Sequence, residues 1–307
     1  MKIGLFGFGT VAKGFYEMLN KAGLSSEIQK ICIKDPHKPR NIDNRLFTSN
    51  ADELLDDENI NIIVELIDDS RAAKEIVVAA LRSGKGVVSA NKKMIAENLA
   101  RLVEEERNAK GRLLYEGSVA ASIPIIQCID HYFSNQEIKS LRGILNGSSN
   151  YILTKMKTDG VSFDLALKEA QDFGFAESNP SLDIEGHDAT FKTIILTYKL
   201  FNKLLHIEDV KRQGIEALSP YLQQQGRKEY SKLKLIADIR RTKEGLVAKV
   251  EPLIVHVSDA LYPIDYEFNA VEIIGEYSDR QLLVGKGAGS YPTGFAVFND
   301  YLKLRKR

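Results

Sequence analysis

Six residues near the N-terminus, Gly7-Phe8-Gly9-Thr10-Val11-Ala12, join a mostly apolar run over residues 2–7 to a helical pattern over residues 11–22. A strand, a glycine turn and a helix in immediate succession leave few folds open. Gly7 permits the tight turn, Gly9 lets the backbone approach a pyrophosphate, and Ala12 keeps the helix close to the strand. Thr10 and Val11 open the helix, whose first turn offers N–H donors with no partner inside the helix. The spacing predicts a dinucleotide-binding βαβ unit, with a fortuitous glycine turn as the alternative.

The rest of the first 120 residues continues that rhythm. Strand-like runs at 28–33, 61–67, 86–89 and 112–116 alternate with helical patterns at 71–83 and 94–109, which predicts an α/β, Rossmann-type domain with a parallel sheet. After residue 120 the pattern changes: helices are expected at 123–133, 150–158, 162–172 and 186–202. Antiparallel strands are expected at 232–241 and 246–256 about the turn Lys243-Glu244-Gly245, from 268 onward, and at 281–284. A closing helix over 292–304 has Pro292 at its start. Two closely docked domains follow, α/β and then α+β.

Composition excludes several classes. Lysine plus arginine and aspartate plus glutamate both total 42, so no general attraction to nucleic acid or anionic membrane is expected. The basic tip Lys303, Arg305, Lys306 and Arg307 reads as a solvated terminus. No run approaches the roughly 18 apolar residues of a membrane helix. Residues 2–7 lead into the glycine turn and not into a cleavage site, so no signal peptide is read. Cys32 and Cys128, among apolar neighbours, read as buried free thiols suited to a reducing cytoplasm. The five histidines lack ligand spacing, so catalytic zinc is not expected.

Three segments carry candidate chemistry. At the end of the second strand, Lys34-Asp35-Pro36-His37-Lys38-Pro39-Arg40 is basic overall. Lys34, Lys38 and Arg40 suit a 2′-phosphate and favour NADP, whereas Asp35 suits the ribose hydroxyl of NAD, and a solvated loop is the plain alternative. Ser89-Ala90-Asn91-Lys92-Lys93 follows the strand at 86–89, where loops line the ligand crevice, so Asn91 and Lys92 are cofactor-side candidates. In residues 174–192, Asp188 and Lys192 stand four apart on one helical face. A surface ion pair is the plain reading. Yet Glu177 and Asp183 lie just upstream in an irregular, proline-containing stretch, and three carboxylates with one lysine suit a small zwitterion.

Over essentially its whole length the sequence resembles homoserine dehydrogenases. The matching pieces are GFGTVA at 7–12, VVSANKKMIAE at 87–97, YEGSVAASIPII at 115–126, LNGSSNYIL at 145–153, GFAESNPSLDIEGHDATFK at 174–192 and GKGAGSYPTGFAVFND at 285–300. The resemblance implies that Lys92 and Lys192 are active-site lysines with Asp188 beside them, and that Glu177 and Asp183 hold the amino acid substrate. It puts Ser148 at substrate or cofactor, and Gly287 with Ala288 and Gly289 near the nicotinamide. Backbone carbonyls of Glu116, Val119, Ala121 and Ile123 match a site for a monovalent cation such as sodium. It implies a nucleotide domain over 1–120 completed by the helix at 290–307, and a catalytic and dimerisation domain over 121–289. Departures are Asp68 and Asp69 where glycines are common, Lys286 for a proline, Phe175 for a tyrosine, and Asn179 and Ser181 for Asp and Thr.

The expected reaction is reduction of aspartate 4-semialdehyde to homoserine with NADPH, NAD being possible, in threonine, methionine and isoleucine biosynthesis. Lys192, held by Asp188, is the first choice of proton donor, with Lys92 sharing the electrostatic stabilisation. The rivals are another Rossmann-type amino acid or aldehyde reductase and an idle NADPH-binding sensor. A cytoplasmic homodimer is expected, since runs such as LIADI and VEIIG carry more apolar residues than one helical layer covers. With Arg307 about ten residues beyond the PTGFAV motif, no ACT-type regulatory module and no feedback by threonine are expected.

Overall fold

The computed structural model describes residues 1–35, 38, 40–218 and 220–306. The chain forms two compact units, Met1–Ser122 with Ala288–Arg307, and Ile123–Gly287. In the first, β1 (Ile3–Phe6) leads to α1 (Thr10–Lys21), then β2 (Ile28–Cys32), a two-residue β3 (Phe47–Thr48) and a short α2 (Asp52–Leu55). There follow β4 (Ile62–Glu65), α3 (Ser70–Arg82), β5 (Gly86–Ser89), α4 (Lys92–Asn108) and β6 (Arg112–Leu114). The strands lie in the order β3-β2-β1-β4-β5-β6, every pair parallel. This is the doubly wound arrangement, in which strand order reverses between β1 and β4 and ligands bind beyond the carboxyl ends at that reversal. β1 and the first three residues of β4 are without polar side chains because both faces of the sheet are covered: Ile3, Leu5, Ile63 and Val64 are fully buried.

The second unit begins with a helical turn α5 (Ile125–Gln127) continued by a π-turn (Cys128–Tyr132), followed by β7 (Ile138–Ile144), α6 (Gly147–Thr158), α7 (Phe163–Asp172), α8 (Ser181–Ile184) and α9 (His187–Phe201). After β8 (Lys211–Arg212) and α10 (Pro220–Gly226) come the long strands β9 (Ser231–Thr242) and β10 (Gly245–His256), then β11 (Phe268–Gly275) and β12 (Arg280–Lys286). They form one sheet, β12-β11-β7-β9-β10-β8, antiparallel except between β10 and β8. β7, not anticipated from the sequence, is the strand that joins β11 to β9. Ile144, Ile236 and Ala270 from these three strands gather with Leu261 and Ile264 of the β10–β11 connection into one cluster. α9 rests on β9 and β10, and residues 189–197 along it are all buried. The stretch expected to be irregular before it contains the short α8. Both cysteines are partly exposed, not buried.

The chain returns to the first unit as α11 (Ser290–Arg305), which packs against α1. Val297, Tyr301 and Leu304 of α11 join Phe15 and Leu19 of α1 and the strand residues Ile3, Leu5 and Val64 in one core. The helices cross at two glycines. A Cβ on Gly14 would fall 2.1 Å from the Ser290 carbonyl oxygen, and one on Gly294 would fall 2.7 Å from the backbone of Gly14 and Phe15. Hydrogen bonds from Ser290 Oγ to the Thr10 carbonyl, and from Arg305 to Glu27, fix both ends of the contact.

Gly294→Ala is therefore expected to push the helices apart. Overpacking of this kind costs on the order of 1–3 kcal/mol, read as a lower melting temperature by circular dichroism. An unchanged melting point would mean that the crossing is looser than its geometry indicates.

Candidate active site

At the head of β1 the turn is built as its residues require. Gly7 has a φ of +89°, and a Cβ there would lie 2.5 Å from the Leu66 carbonyl oxygen. Gly9 is the N-cap of α1 and supplies no side-chain cap, so the first N–H groups of the helix are not taken by a cap side chain. A Cβ on Gly9 would meet nothing within 4 Å. The turn thus leaves an exposed cradle over a helix N-terminus, the arrangement that receives a pyrophosphate. Thr10 is exposed, Val11 half-buried and Ala12 buried against the core.

Beyond β2, Lys34, Asp35 and Lys38 are exposed, while Pro36, His37 and Pro39 lie outside the described residues. The Arg40 guanidinium turns back on its own loop, donating to the carbonyls of Asp35 (3.1 Å) and Lys38 (2.7 Å) and lying 4.8 Å from the Phe47 ring centroid. Of the two unusual acids, Asp69 is the N-cap of α3, accepting from the N–H groups of Arg71 and Ala72. The Ala72 bond above all, then the Arg71 bond and the Lys34 and Arg71 charges, hold its carboxyl below the usual carboxylate range against an opposing desolvation.

Phe6, Glu65 and Ser89 stand in register at the carboxyl ends of β1, β4 and β5. Glu65 is fully buried. It accepts from Ser89 Oγ (2.6 Å) and Ile67 N (2.8 Å), and Ser89 Oγ in turn accepts from Asn91 N (3.1 Å). Asn91 caps α4 through Oδ1, accepting from Met94 N at 2.9 Å, and donates Nδ2 to the Ile67 carbonyl at 2.9 Å. Its capping starts α4 at Lys92, two residues earlier than expected. Lys92 is thereby the first helical residue and half-buried, a cation at the positive end of a helix. Burial pushes the Glu65 carboxyl up to about 7, its two hydrogen bonds pulling downward and the Asp68 charge adding upward.

In the second unit four sequence segments converge. Lys192 and Asp188 are not on the surface: their side chains are 6 % and 3 % exposed and meet at 2.8 Å. Lys192 Nζ also donates at 2.6 Å to the carbonyl oxygen of Leu145, the first residue beyond β7. The next residue, Asn146, donates Nδ2 to Asp183 Oδ1 (2.7 Å) and to Asp188 Oδ2 (2.9 Å). Ser148, buried in the first turn of α6, donates Oγ to the Phe175 carbonyl oxygen at 2.5 Å. Asn150 closes the motif: its Nδ2 donates to the carbonyls of Tyr266 and Phe268, and its Oδ1 accepts from Lys234 Nζ at 3.0 Å. Lys234, which also reaches Asp265 at 2.9 Å, is pushed down to about 8 by burial, with Asp265 pulling it up.

Glu177 lies on the same loop as Phe175 but is exposed. Gly287 approaches Asn269 so closely that a Cβ would sit 2.0 Å from its Nδ2. Asn269 is itself fully buried, and its amide has no hydrogen-bond partner among the described residues. Glu116, Val119, Ala121 and Ile123 are buried. Ala121 has a φ of +47°, a left-handed bend in a non-glycine residue, and Glu116 N donates to Asp300 Oδ2. Among the described residues no group of three His, Cys, Asp or Glu could hold a metal ion. Sequence reasoning missed Asn146, Glu65 and Asn269. An asparagine directly before the Gly-Ser-Ser helix start is an N-cap signal that could have found the first.

A doubly wound nucleotide unit with a glycine cradle, joined to a unit bearing a buried lysine among carboxylates, defines a nicotinamide dinucleotide-linked oxidoreductase. Comparison with known proteins gives the family. The NAD-binding domain model of homoserine dehydrogenase matches residues 7–116, and the homoserine dehydrogenase model matches 124–302. The homoserine dehydrogenase of Bacillus subtilis is 33 % identical over 100 % of this chain and 73 % of its own. The crystal structure of a homoserine dehydrogenase from Thiobacillus denitrificans superposes with a TM-score of 0.92 at 32 % identity, covering 99 % of this chain and 73 % of its own. A hyperthermophilic archaeal homoserine dehydrogenase solved in complex with NADPH shares the fold, with a TM-score of 0.83 at 24 % identity over 99 % of this chain and 97 % of its own. The chain belongs to the homoserine dehydrogenase family.

Glu65 makes the nucleotide unit pH-sensitive. Its folded carboxyl keeps its proton up to about 7, while the unfolded one releases it near 4.5. Its contribution to stability is therefore full below 4.5 and is lost as the pH rises through about 7. Glu65→Gln, a mimic of the protonated form, is expected to melt higher than wild type at pH 8, with the difference shrinking toward pH 5. Parallel melting curves across that range would show that Glu65 ionises normally.

Proposed function

We propose that this homoserine dehydrogenase works in the direction of reduction, converting L-aspartate 4-semialdehyde to L-homoserine with NADPH in the biosynthesis of threonine, methionine and isoleucine. The observation that carries the reading is the buried Lys192–Asp188 pair tied through Asn146 to Asp183. The fit to a dinucleotide rests on the open cradle at Gly9 and on the orphaned Asn269 amide beside Gly287. Gly7, Gly9, Thr10, Val11 and Ala12 would hold the pyrophosphate, Lys34, Lys38 and Arg40 the 2′-phosphate, and Asn91, Lys92 and Gly287 the nicotinamide end. When bound, the reduced nicotinamide supplies the hydride. Lys192 gives its proton to the emerging alkoxide, and Asp188 keeps the ammonium aimed and charged. Lys92 shares the electrostatic stabilisation and orients the substrate. Glu177 and Asp183 take the substrate ammonium, and Ser148 lines the same end. Carbonyls of Glu116, Val119, Ala121 and Ile123, around the left-handed bend at Ala121, would hold a sodium-like cation in a structural role.

The enzyme is further read as a cytoplasmic homodimer. Two free cysteines suit a reducing compartment, and among the described residues no helix is long and apolar enough to cross a membrane. Leu282 and Val284 on the edge strand β12, 39 % and 48 % exposed, leave apolar surface for a second copy.

Homoserine-dependent reduction of NADP, followed at the nicotinamide absorbance, tests the reading, and no turnover by the wild-type protein would refute it. Lys192→Ala should lower kcat by roughly 10² to 10⁴ while NADPH still binds by fluorescence; more than about a tenth of the activity remaining, on that scale, removes Lys192 as donor. Glu177→Ala should mainly raise KM for homoserine. If Lys38 and Arg40 hold the 2′-phosphate, replacing both with alanine weakens NADP far more than NAD, and equal weakening makes Asp35 the ribose ligand. A stable active monomer in sedimentation would rule out the dimer.

A further inference from the structure

One motif residue that ties together the acids of the second unit has been given no role of its own in the proposed chemistry. Asn146 is 4 % exposed and stands between the end of β7 and the start of α6. Its Oδ1 accepts from Ser149 N at 2.7 Å, which makes it the N-cap of α6. That bond dictates which end of the amide faces which way, because a flipped amide would put N–H against N–H. Nδ2 is thus forced toward the acids, and its two hydrogens have one carboxylate each, Asp183 at 2.7 Å and Asp188 at 2.9 Å. The Asp188 oxygen it reaches, Oδ2, is the one bonded to Lys192 Nζ. Meanwhile the peptide just before it, Leu145, gives its carbonyl to the same ammonium.

We propose that Asn146 is a positioning residue that locks Asp183, on the substrate side, to Asp188 and Lys192, on the proton side, so that substrate recognition and proton transfer share one rigid frame. This rests on the roles assigned above to Asp183 and Lys192. The physical requirement is specific. Two carboxylates brought to one amide need two N–H donors, and only an amide supplies both while its oxygen caps a helix. Aspartate and serine are equally good caps but have no such pair of donors. A role in capping alone is therefore kept by Asn146→Asp and Asn146→Ser, and a positioning role is lost. The aspartate adds a third carboxylate near Lys192, which favours the charged ammonium.

The test is to purify wild type, Asn146→Ser and Asn146→Asp and to measure melting temperature, kcat and KM for homoserine, the pH dependence of kcat, and homoserine binding by calorimetry. The expected result is kcat per folded protein lower by about 10²-fold, the scale of a displaced catalytic group, and weaker homoserine binding in both, with melting below wild type and lowest in Asn146→Asp, whose new carboxylate faces Asp183 and Asp188. In Asn146→Asp the midpoint of the pH profile for homoserine oxidation, where Lys192 must accept a proton, should move up by about one unit or more. Wild-type kcat with an unshifted profile in either variant overturns the proposal, as does activity lost only in proportion to folded protein. A wild-type protein that neither binds nor oxidises homoserine fails the functional reading itself, a separate outcome from failure of the variants.

Discussion

A lysine ammonium and an aspartate carboxylate that meet at 2.8 Å with almost none of either side chain in water set the terms for the second unit. Removing such ions from water costs several kcal/mol apiece, roughly offset by their attraction when the geometry is good. A well-packed apolar pair would serve stability at least as well, so the pair marks a place where charge is wanted for its own sake. The surrounding elements are arranged to make it tolerable: the Leu145 carbonyl at the end of β7, the Asn146 amide and the buried turns of α9. The two asparagines of the α6 motif divide the work. Asn146 faces the acids, and Asn150 ties the helix to the β10–β11 connection beside Lys234.

The nucleotide unit uses the same device at a different strand end. Asn91 follows β5 as Asn146 follows β7: each caps a helix through its oxygen and spends its N–H groups on a neighbouring segment. In both cases the amide stands beside a lysine of functional interest: Asn91 sets the helix start at Lys92, and Asn146 holds the Asp188 carboxylate that meets Lys192. The buried Glu65 beneath Asn91 extends that anchoring into the sheet through Ser89.

Much of this was legible in residue patterns, and the rest was hidden for identifiable reasons. The parallel strands are short, apolar and separated by helices of clear period, so β1, β4 and β5 fall where the sequence puts them. β9 and β10 are marked by their length and by the Lys243-Glu244-Gly245 turn. β7 escaped because Ile138, Leu141 and Ile144 break the alternation of a strand, and its pairing with β11 and β9 is long-range. Spacing placed Asp188 and Lys192 on one helical face but could not separate a surface pair from a buried one. That distinction depends on β9 and β10 covering α9. The cap signal marks Asn146 as a helix start, but its link to Asp183, like that of Glu65 to Ser89, was hidden because the partners are 37 and 24 residues away.

The crossing of α1 and α11 at Gly14 and Gly294 also bears on how the protein is made. Synthesis proceeds from the N-terminus, and domains tend to fold as they emerge. The first unit loses that advantage: its sheet is finished at β6, but the helix that buries Phe15, Leu19 and their neighbours is translated only after the whole second unit. On the ribosome the entire second unit is exported while the β1–α1 face still waits for its cover. Chaperones that recognise exposed apolar surface have their longest opportunity there, and a nascent chain completes the core beneath its dinucleotide cradle only once α11 has emerged.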